Sequence, residues 1–206
     1  MTTILQLPKL DEPVLVDLRS PADFARGHPK GAVSVPFSAK GLGQRLAVVV
    51  EPGTSIRLLA SDQAVASAAL AQLRDAYRVL GVFDRSAWPK PGPHEESLPD
   101  IPVATLGKAT SAGDLTVLDV REPVEWETGY APGAVLISLG HLRQRLDAIP
   151  RDSLVAVICE AGMRSSTGAS LLQAAGFPRV ATVSEGMNGY RRAGLPVALP
   201  ESQEPD

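Results

Sequence analysis

An internal repeat, whose two copies lie about half of the chain apart, most strongly constrains how this sequence can fold. Residues 14–35 read VLVDLRSPADFARGHPKGAVSV, and residues 116–137 read TVLDVREPVEWETGYAPGAVLI. The positions that match at a constant offset of 102 residues are Asp17 and Asp119, Arg19 and Arg121, Pro21 and Pro123, Phe24 and Trp126, Gly27 and Gly129, and Gly31-Ala32-Val33 and Gly133-Ala134-Val135. Because the offset is half of the 206 residues, the repeat predicts two domains of about 100 residues each, not an array of short units.

A proline-rich segment separates the two copies. Residues 88–102 read WPKPGPHEESLPDIP, and proline fixes φ and removes a hydrogen-bond donor, which favours an extended, semi-rigid chain. We therefore predict a first domain over residues 1–90, a linker over residues 91–102 and a second domain over residues 103–206.

Each copy alternates short β-branched runs with helical segments. Predicted strands cover residues 14–17, 56–59, 79–83, 116–120, 154–158 and 180–183, with a further short strand after Gly31 and after Gly133. Predicted helices begin near Pro21 and Pro123 and cover residues 43–50, 63–76, 141–149 and 165–175. This alternation predicts an α/β fold, with a small parallel sheet and helices on both faces in each domain. Phe24 and Trp126, at one repeat position, are predicted to be core residues.

Composition and charge exclude several classes of function. Lys and Arg number 20 against 23 Asp and Glu, and no basic stripe is present, so nucleic acid is not a predicted partner. The three histidines lack metal-ligand spacing, and neither a metal nor an organic cofactor is implied. The N-terminal sequence lacks the pattern of a secretory signal, and the apolar runs are far shorter than a membrane span.

The chain has a single cysteine, Cys159, which rules out an intramolecular disulfide and, without an export signal, predicts a reducing cytoplasmic location. Cys159 ends a predicted strand, and a loop with Gly162 leads into a helix predicted from Ser165. Ligands bind at the carboxyl ends of parallel strands, and a helix N-terminus, loop N–H groups and Arg164 favour a bound anion and a thiolate there. The candidate site comprises Cys159 as nucleophile and the anion-binding loop Glu160, Ala161, Gly162, Met163, Arg164 and Ser165.

Three motifs resemble the rhodanese family. Cys159-Glu-Ala-Gly-Met-Arg164-Ser165 resembles the rhodanese active-site loop C-x-x-G-x-R-[ST]. The segment from Asp119 to Ala134 is similar to the other rhodanese signature, and Ser184-Glu-Gly-Met-Asn-Gly-Tyr190 resembles the closing segment of the family. The resemblance implies two tandem rhodanese-like domains, of which the second is active.

The resemblance also implies sulfur transfer. A rhodanese cysteine, here Cys159, attacks the sulfane sulfur of thiosulfate or of a persulfide donor, and the loop amides stabilise the resulting persulfide. The sulfur then passes to a thiol or to cyanide in a two-step covalent mechanism. The implied partners are small sulfur donors and thiol acceptors, with a sulfur-relay protein as a further candidate.

Two alternatives remain open at this stage. The chain could be a persulfide carrier that accepts and delivers sulfur with little free turnover, because an intact thiol site serves both functions. A weaker alternative is an enzyme related to dual-specificity phosphatases or arsenate reductases. Those relatives have five residues between cysteine and arginine, whereas four separate Cys159 from Arg164, and they usually carry histidine where this chain has Ile158.

The first copy lacks the nucleophile. Ala60 stands at the position of the cysteine, and no arginine closes the shorter loop that follows, so this copy is expected to be catalytically silent. Asp119 and Arg121 are possible supporting residues of the site, but their repetition as Asp17 and Arg19 favours a structural role.

At the edge of the predicted site, three charged side chains are assigned no specific contact. Glu160 is expected to be a solvated carboxylate at the rim of the loop. Arg191 and Arg192 are expected to be a solvated pair beyond the closing segment.

Overall fold

The structure is a computed structural model that describes residues 13–84, 95–109 and 114–200. Its contacts divide the chain into two compact units: the described residues of Met1–Pro99 with Ala169–Phe177, and those of Asp100–Gly168 with Pro178–Asp206. The N-terminal segment considered as a signal and residues 91–94 of the predicted linker lie outside the described residues.

The first unit contains a parallel four-stranded sheet. Its elements in chain order are β1 (Val14–Asp17), α1 (Pro21–Arg26), β2 (His28–Pro29), β3 (Val33–Ser34), α2 (Leu42–Ala47), β4 (Ser55–Ala60), α3 (Gln63–Leu73), β5 (Arg78–Asp84) and β6 (Glu95–Glu96). The strand order is β3-β1-β4-β5, and Val16 of β1 pairs with Val33 and Leu58. These three side chains are fully buried, as expected for apolar runs in a sheet covered on both faces.

The second unit contains another parallel four-stranded sheet. Its elements are α4 (Val103–Ala109), β7 (Leu115–Asp119), α5 (Pro123–Trp126), β8 (Val135–Leu136), β9 (Leu154–Ile158), α6 (Met163–Ala174), β10 (Val180–Thr182) and α7 (Gly186–Arg192). The part of α6 from Ala169 onward belongs to the first unit. The order β8-β7-β9-β10 repeats, strand for strand, the order of the first sheet. The predicted α/β fold with parallel sheets flanked by helices is confirmed.

Two of the predicted helices have different forms. The predicted helix over residues 141–149 is a pair of 3₁₀ segments, Leu139–Gln144 and Leu146–Ala148. Pro150 disfavours a helical Ile149, and Ile149 is extended with φ −106° and ψ 122°. Helix α6 begins at Met163, before the predicted Ser165, since Gly162 completes the turn with φ +86°.

No helix in the described ranges is long and apolar enough to cross a membrane.

The described part of the predicted linker is folded against its neighbours in the chain. Glu95–Glu96 pairs as an antiparallel strand with His28–Pro29. Leu98 is buried, and its N–H donates to the Ala25 carbonyl at 3.0 Å. Asp100 forms a parallel bridge to Thr182. Residues 95–100 therefore belong to the two compact units, because their backbone groups and one apolar side chain find partners there.

The core of the second unit connects the end of β9 to α7. Its buried residues are Val103, Leu106, Val117, Ala131, Ala156, Ile158, Val183, Met187 and Tyr190. Phe24 is buried in the first unit as predicted, but Trp126 is only half-buried, because the four-residue helix α5 buries none of its side chains. Because residues of both β9 and α7 belong to this core, it fixes the two elements that contact the cysteine loop.

Candidate active site

Cys159 lies directly beyond β9, at the carboxyl edge of the second sheet. Asp119 ends the neighbouring strand β7 and pairs with Ile158, and the Val120 N–H donates to the Ile158 carbonyl at 3.0 Å. Parallel strands bring their carboxyl ends to one edge, so the two sequence motifs meet here. The Cys159 side chain is buried and forms no disulfide.

The closing segment holds the carbonyl groups of the loop. The Met187 N–H donates to the Cys159 carbonyl at 2.8 Å, and the Asn188 N–H donates to the Glu160 carbonyl at 3.1 Å. In contrast, the backbone N–H groups of residues 160–165 donate to no acceptor in the described part of the chain. The loop therefore has its acceptors engaged and its donors available, which is the arrangement that binds an anion.

Two glycines make the contact between loop and closing segment possible. Gly162 has φ +86°, and a Cβ placed on it would lie 2.6 Å from the Ser184 carbonyl oxygen. Gly186 has φ +61°, and a Cβ there would collide with the Glu160 backbone. Any side chain at either position would strain the backbone and separate the two segments.

Arg164 is held by Glu125, a residue that no local sequence pattern indicates. Its Nη1 and Nη2 donate to the two carboxylate oxygens of Glu125 at 2.5 and 2.7 Å. These hydrogen bonds lower the pKa of Glu125 from 4.5 to about 2 and raise the pKa of Arg164. Arg164 lies within electrostatic range of Cys159, but a carboxylate already compensates the charge that was expected to support the thiolate.

Glu160 is ion-paired, contrary to the expectation of a solvated rim carboxylate. Arg191 Nη1 donates to Glu160 Oε1 at 2.7 Å, and Arg121 Nη1 lies 3.3 Å from Glu160 Oε2. Arg191 is therefore not a solvated residue either, whereas Arg192 is exposed. The chain folds back so that Arg191 of α7 contacts Glu160 of the cysteine loop. The two residues are 31 positions apart, so no local sequence pattern predicts this contact.

Asp119 and Arg121 form a buried pair that the first unit repeats. Arg121 donates to both Asp119 oxygens and, through Nη2, to the Gly129 carbonyl at 2.8 Å. In the first unit the corresponding pair, Asp17 and Arg19, adds a 2.9 Å hydrogen bond to the Gly27 carbonyl. The shared geometry is structural, and only Arg121 extends it to a cysteine loop, through Glu160.

The corresponding loop of the first unit has a different chemistry. Ala60 is buried at the end of β4, and Asp62 is the N-cap of α3, where its side chain accepts a hydrogen bond from the Val65 N–H at 2.9 Å. This hydrogen bond lowers the pKa of Asp62. A carboxylate of the chain itself thus takes the helix N-terminus, a position that would otherwise suit a bound anion.

Smaller contacts complete the candidate site. The Ser165 hydroxyl donates to the Gly162 carbonyl at 2.9 Å, while Ala161 and Met163 are exposed at the loop surface. Asp100, which lies in the predicted linker, accepts hydrogen bonds from the Ser184 N–H and hydroxyl at 2.8 and 2.6 Å. It therefore anchors the closing segment that holds the loop.

Comparisons with known proteins place this arrangement in a family. Residues 103–193 match the model of the rhodanese-like domain. The chain is 32% identical over 88 residues to a sulfurtransferase of Allochromatium vinosum, covering 43% of this chain and 82% of that protein. It is also 32% identical over 113 residues to the putative sulfur carrier protein YrkF of Bacillus subtilis, covering 54% of this chain and 61% of that protein.

A similar solved structure is a rhodanese-related protein from Thermoplasma volcanium. It is 33% identical, with a TM-score of 0.46, and the match covers 49% of this chain and 98% of that one. The family model falls on the half that carries the cysteine loop. On these matches, the chain belongs to the rhodanese-like family.

Proposed function

We propose that this protein is a sulfurtransferase that moves a sulfane sulfur from thiosulfate or a persulfide donor to a thiol or cyanide, through a persulfide on Cys159. The observation that carries the proposal is the loop that follows Cys159, whose N–H groups meet no acceptor among the described residues. Such donors stabilise negative charge where it develops, both on the attacking thiolate and on the bound persulfide.

The chemistry divides into two steps. The Cys159 thiolate attacks the sulfane sulfur of thiosulfate, the sulfur–sulfur bond of the donor breaks, and sulfite leaves with the bonding electron pair. The outer sulfur of the Cys159 persulfide is then attacked by an acceptor thiolate or by cyanide, and Cys159 leaves as thiolate. No metal or redox cofactor is needed to balance either step.

We further propose that the chain is a tandem of two rhodanese-like domains, over residues 1–90 and 103–206, with only the second active. The repeat and the identical strand order of the two sheets support this proposal. The absence of a thiol at Ala60 and the carboxylate cap at Asp62 support a silent first domain. Because the persulfide chemistry requires a reduced Cys159, we propose a cytoplasmic location.

A second candidate function is a persulfide carrier that delivers sulfur to a relay partner. The similarity to a protein described as a putative sulfur carrier supports it. The carrier and the enzyme share the loading step and differ in whether small acceptors discharge the persulfide quickly. Turnover therefore distinguishes them, whereas loading does not.

Steady-state kinetics with varied thiosulfate and cyanide test the enzyme proposal. Because the persulfide forms before the acceptor binds, double-reciprocal plots should give parallel lines, and Cys159→Ser should show no thiocyanate formation. Residual activity in Cys159→Ser, or intersecting lines, would contradict the covalent mechanism. Rapid loading with negligible turnover on cyanide and small thiols would favour the carrier.

A further inference from the structure

Among the described residues, the arginine of the cysteine loop and the two arginines that contact Glu160 are each paired with a carboxylate. Arg164 pairs with Glu125, and Arg191 pairs with Glu160. Arg121 pairs with Asp119 and also contacts Glu160, while Glu122 lies within electrostatic range of Arg164. In the part of the chain that the structure describes, three guanidinium groups thus face four carboxylates, and these side chains present no net positive charge to an approaching anion.

The two outer pairs are accessible to a donor. The side chains of Arg191, Glu160 and Arg164 are each 33% exposed, and that of Glu125 is 27% exposed. Their charges therefore act on a molecule that enters from solvent, unlike those of the fully buried pair Arg121 and Asp119. Glu160 is also the residue that follows Cys159 directly, so its charge lies next to the nucleophile.

We propose that Glu160 and Glu125 determine donor specificity: by neutralising Arg191 and Arg164, they disfavour the thiosulfate dianion and favour an organic persulfide of low charge. This inference rests on the proposed sulfurtransferase function and selects between its donors. The loop amides remain available to hold the transferred sulfur, so the rim affects the choice of donor more than the stability of the persulfide.

The loading step with such a donor is balanced. The Cys159 thiolate attacks the outer sulfur of R–S–SH, the R–S to sulfur bond breaks, and R–S⁻ leaves with the electron pair. Cys159–S–SH remains, and no oxidant or reductant is consumed. The electrostatic energy of a neutral donor does not depend on whether the rim arginines are paired. A dianion would be attracted to an unpaired arginine twice as strongly as a monoanion, so pairing the arginines weakens its binding most.

The first unit supports assigning this role to Glu160. Arg19 repeats the contacts of Arg121 with its aspartate and with a glycine carbonyl. At the matching loop, Ser61 follows Ala60, and its hydroxyl donates to Asp62. A carboxylate that bridges two arginines is thus present beside Cys159 and is replaced by a small hydroxyl in the unit without a thiol.

The test compares loading of Cys159 from thiosulfate and from cysteine persulfide, by rapid quench and intact-mass measurement at low ionic strength. Glu160→Gln should raise the thiosulfate-to-persulfide rate ratio by about tenfold, because a dianion gains the freed charge of Arg191. Arg191→Gln should lower that ratio, and the double variant should return near the wild-type value. Asp147→Asn, at an exposed carboxylate of the same unit, is the control for net charge and should leave the ratio unchanged.

A second readout is independent of sulfur transfer. The rates at which anionic iodoacetate and neutral iodoacetamide alkylate Cys159 report the potential at the thiol directly. Glu160→Gln and Glu125→Gln should each raise the iodoacetate-to-iodoacetamide rate ratio by about threefold, an effect that added salt removes. Either variant serves if the other fails to fold.

The outcomes separate the two proposals. If wild-type protein takes sulfur from neither donor, the proposed function is wrong, while the alkylation ratios still decide whether the carboxylates mask the arginines. If wild-type protein loads but Glu160→Gln leaves both ratios unchanged, the specificity inference is overturned and the function stands. Failure of both alkylating reagents to reach Cys159 would also overturn it, because the rim would then control no access.

Discussion

At the site, folding shifts the pKa of Glu125 most clearly. Arg164 donates to both of its carboxylate oxygens, and the Glu122 N–H donates to Oε2 at 2.9 Å as part of a capping box. Both contacts favour the charged form, which is why its pKa falls to about 2. Glu125 therefore connects the start of α5 to the arginine of the cysteine loop.

This pairing predicts a specific dependence of stability on pH. Because the folded-state pKa of about 2 lies below the ordinary 4.5, the stabilisation is complete above about pH 4.5 and is lost as the pH falls toward 2. Glu125→Gln retains the capping oxygen but not the charge, and should cost about 1 kcal/mol of unfolding free energy at pH 7 for a partly exposed pair. Urea unfolding at several pH values measures the difference.

Glu127→Gln is the matched control, because Glu127 is exposed at the end of the same helix. It should change stability little at any pH. A cost for Glu125→Gln that persists undiminished near pH 2.5, or no cost at pH 7, would show that the pair with Arg164 does not stabilise the fold.

Among single residues, the sequence predicts the chemistry of a local motif better than it predicts which side chains form ion pairs with that motif. The cysteine, the glycine turn and the arginine lie within six positions, so their spacing indicates an anion-binding loop. The partners of the loop lie 39 positions away at Glu125 and 31 positions away at Arg191. No local pattern encodes those distances, and Glu160 was therefore expected to be solvated.

At the scale of elements, the cysteine loop depends on its contact with the segment from Ser184 to Asn188. The amides of Met187 and Asn188 hold the loop carbonyls, and Asp100 holds Ser184. Met187 is also part of the core. The position of the loop is therefore tied to burial and does not rest on hydrogen bonds alone.

Gly186→Ala should test this contact. Its Cβ would collide with the Glu160 backbone at a positive φ, so we expect a loss of about 3 kcal/mol in unfolding free energy and slower loading of Cys159. Gly133→Ala is the control: Gly133 has φ +75° but open space around a Cβ, so it should cost only about 1 kcal/mol. Equal costs in chemical denaturation would mean that the close approach is unimportant.

The predictability of the elements follows from their apolar patterns. Strands β1, β7 and β9 are buried β-branched runs, and the sequence predicts them within one residue. Helix α7 was not predicted because it contains two glycines and lies within the closing motif. The two-residue strands His28–Pro29 and Glu95–Glu96 carry no periodicity, and one of them begins in a proline-rich segment.

At the scale of the whole molecule, each unit contains its own sheet of the same strand order, and the loops that follow β4 and β9 differ in chemistry. Both sheets have the same strand order, and β1 and β7 each end in an aspartate that pairs with the arginine two residues later. The repeat in the sequence predicts this correspondence because those residues are structural. The difference that decides which unit carries a thiol lies where β4 and β9 end, at Ala60 and Cys159.

Intact-mass measurement after incubation with thiosulfate or an organic persulfide shows whether Cys159, held in the loop that follows it, carries sulfur. Wild-type protein should gain one sulfur atom, which cyanide or a thiol removes, and Cys159→Ser should gain none. Cys159→Ser with Ala60→Cys restores a thiol in the first unit, but should also gain none, because the Asp62 carboxylate caps the helix there. An unchanged mass of wild-type protein with every donor, or added sulfur on Cys159→Ser, would show that Cys159 is not the sulfur carrier.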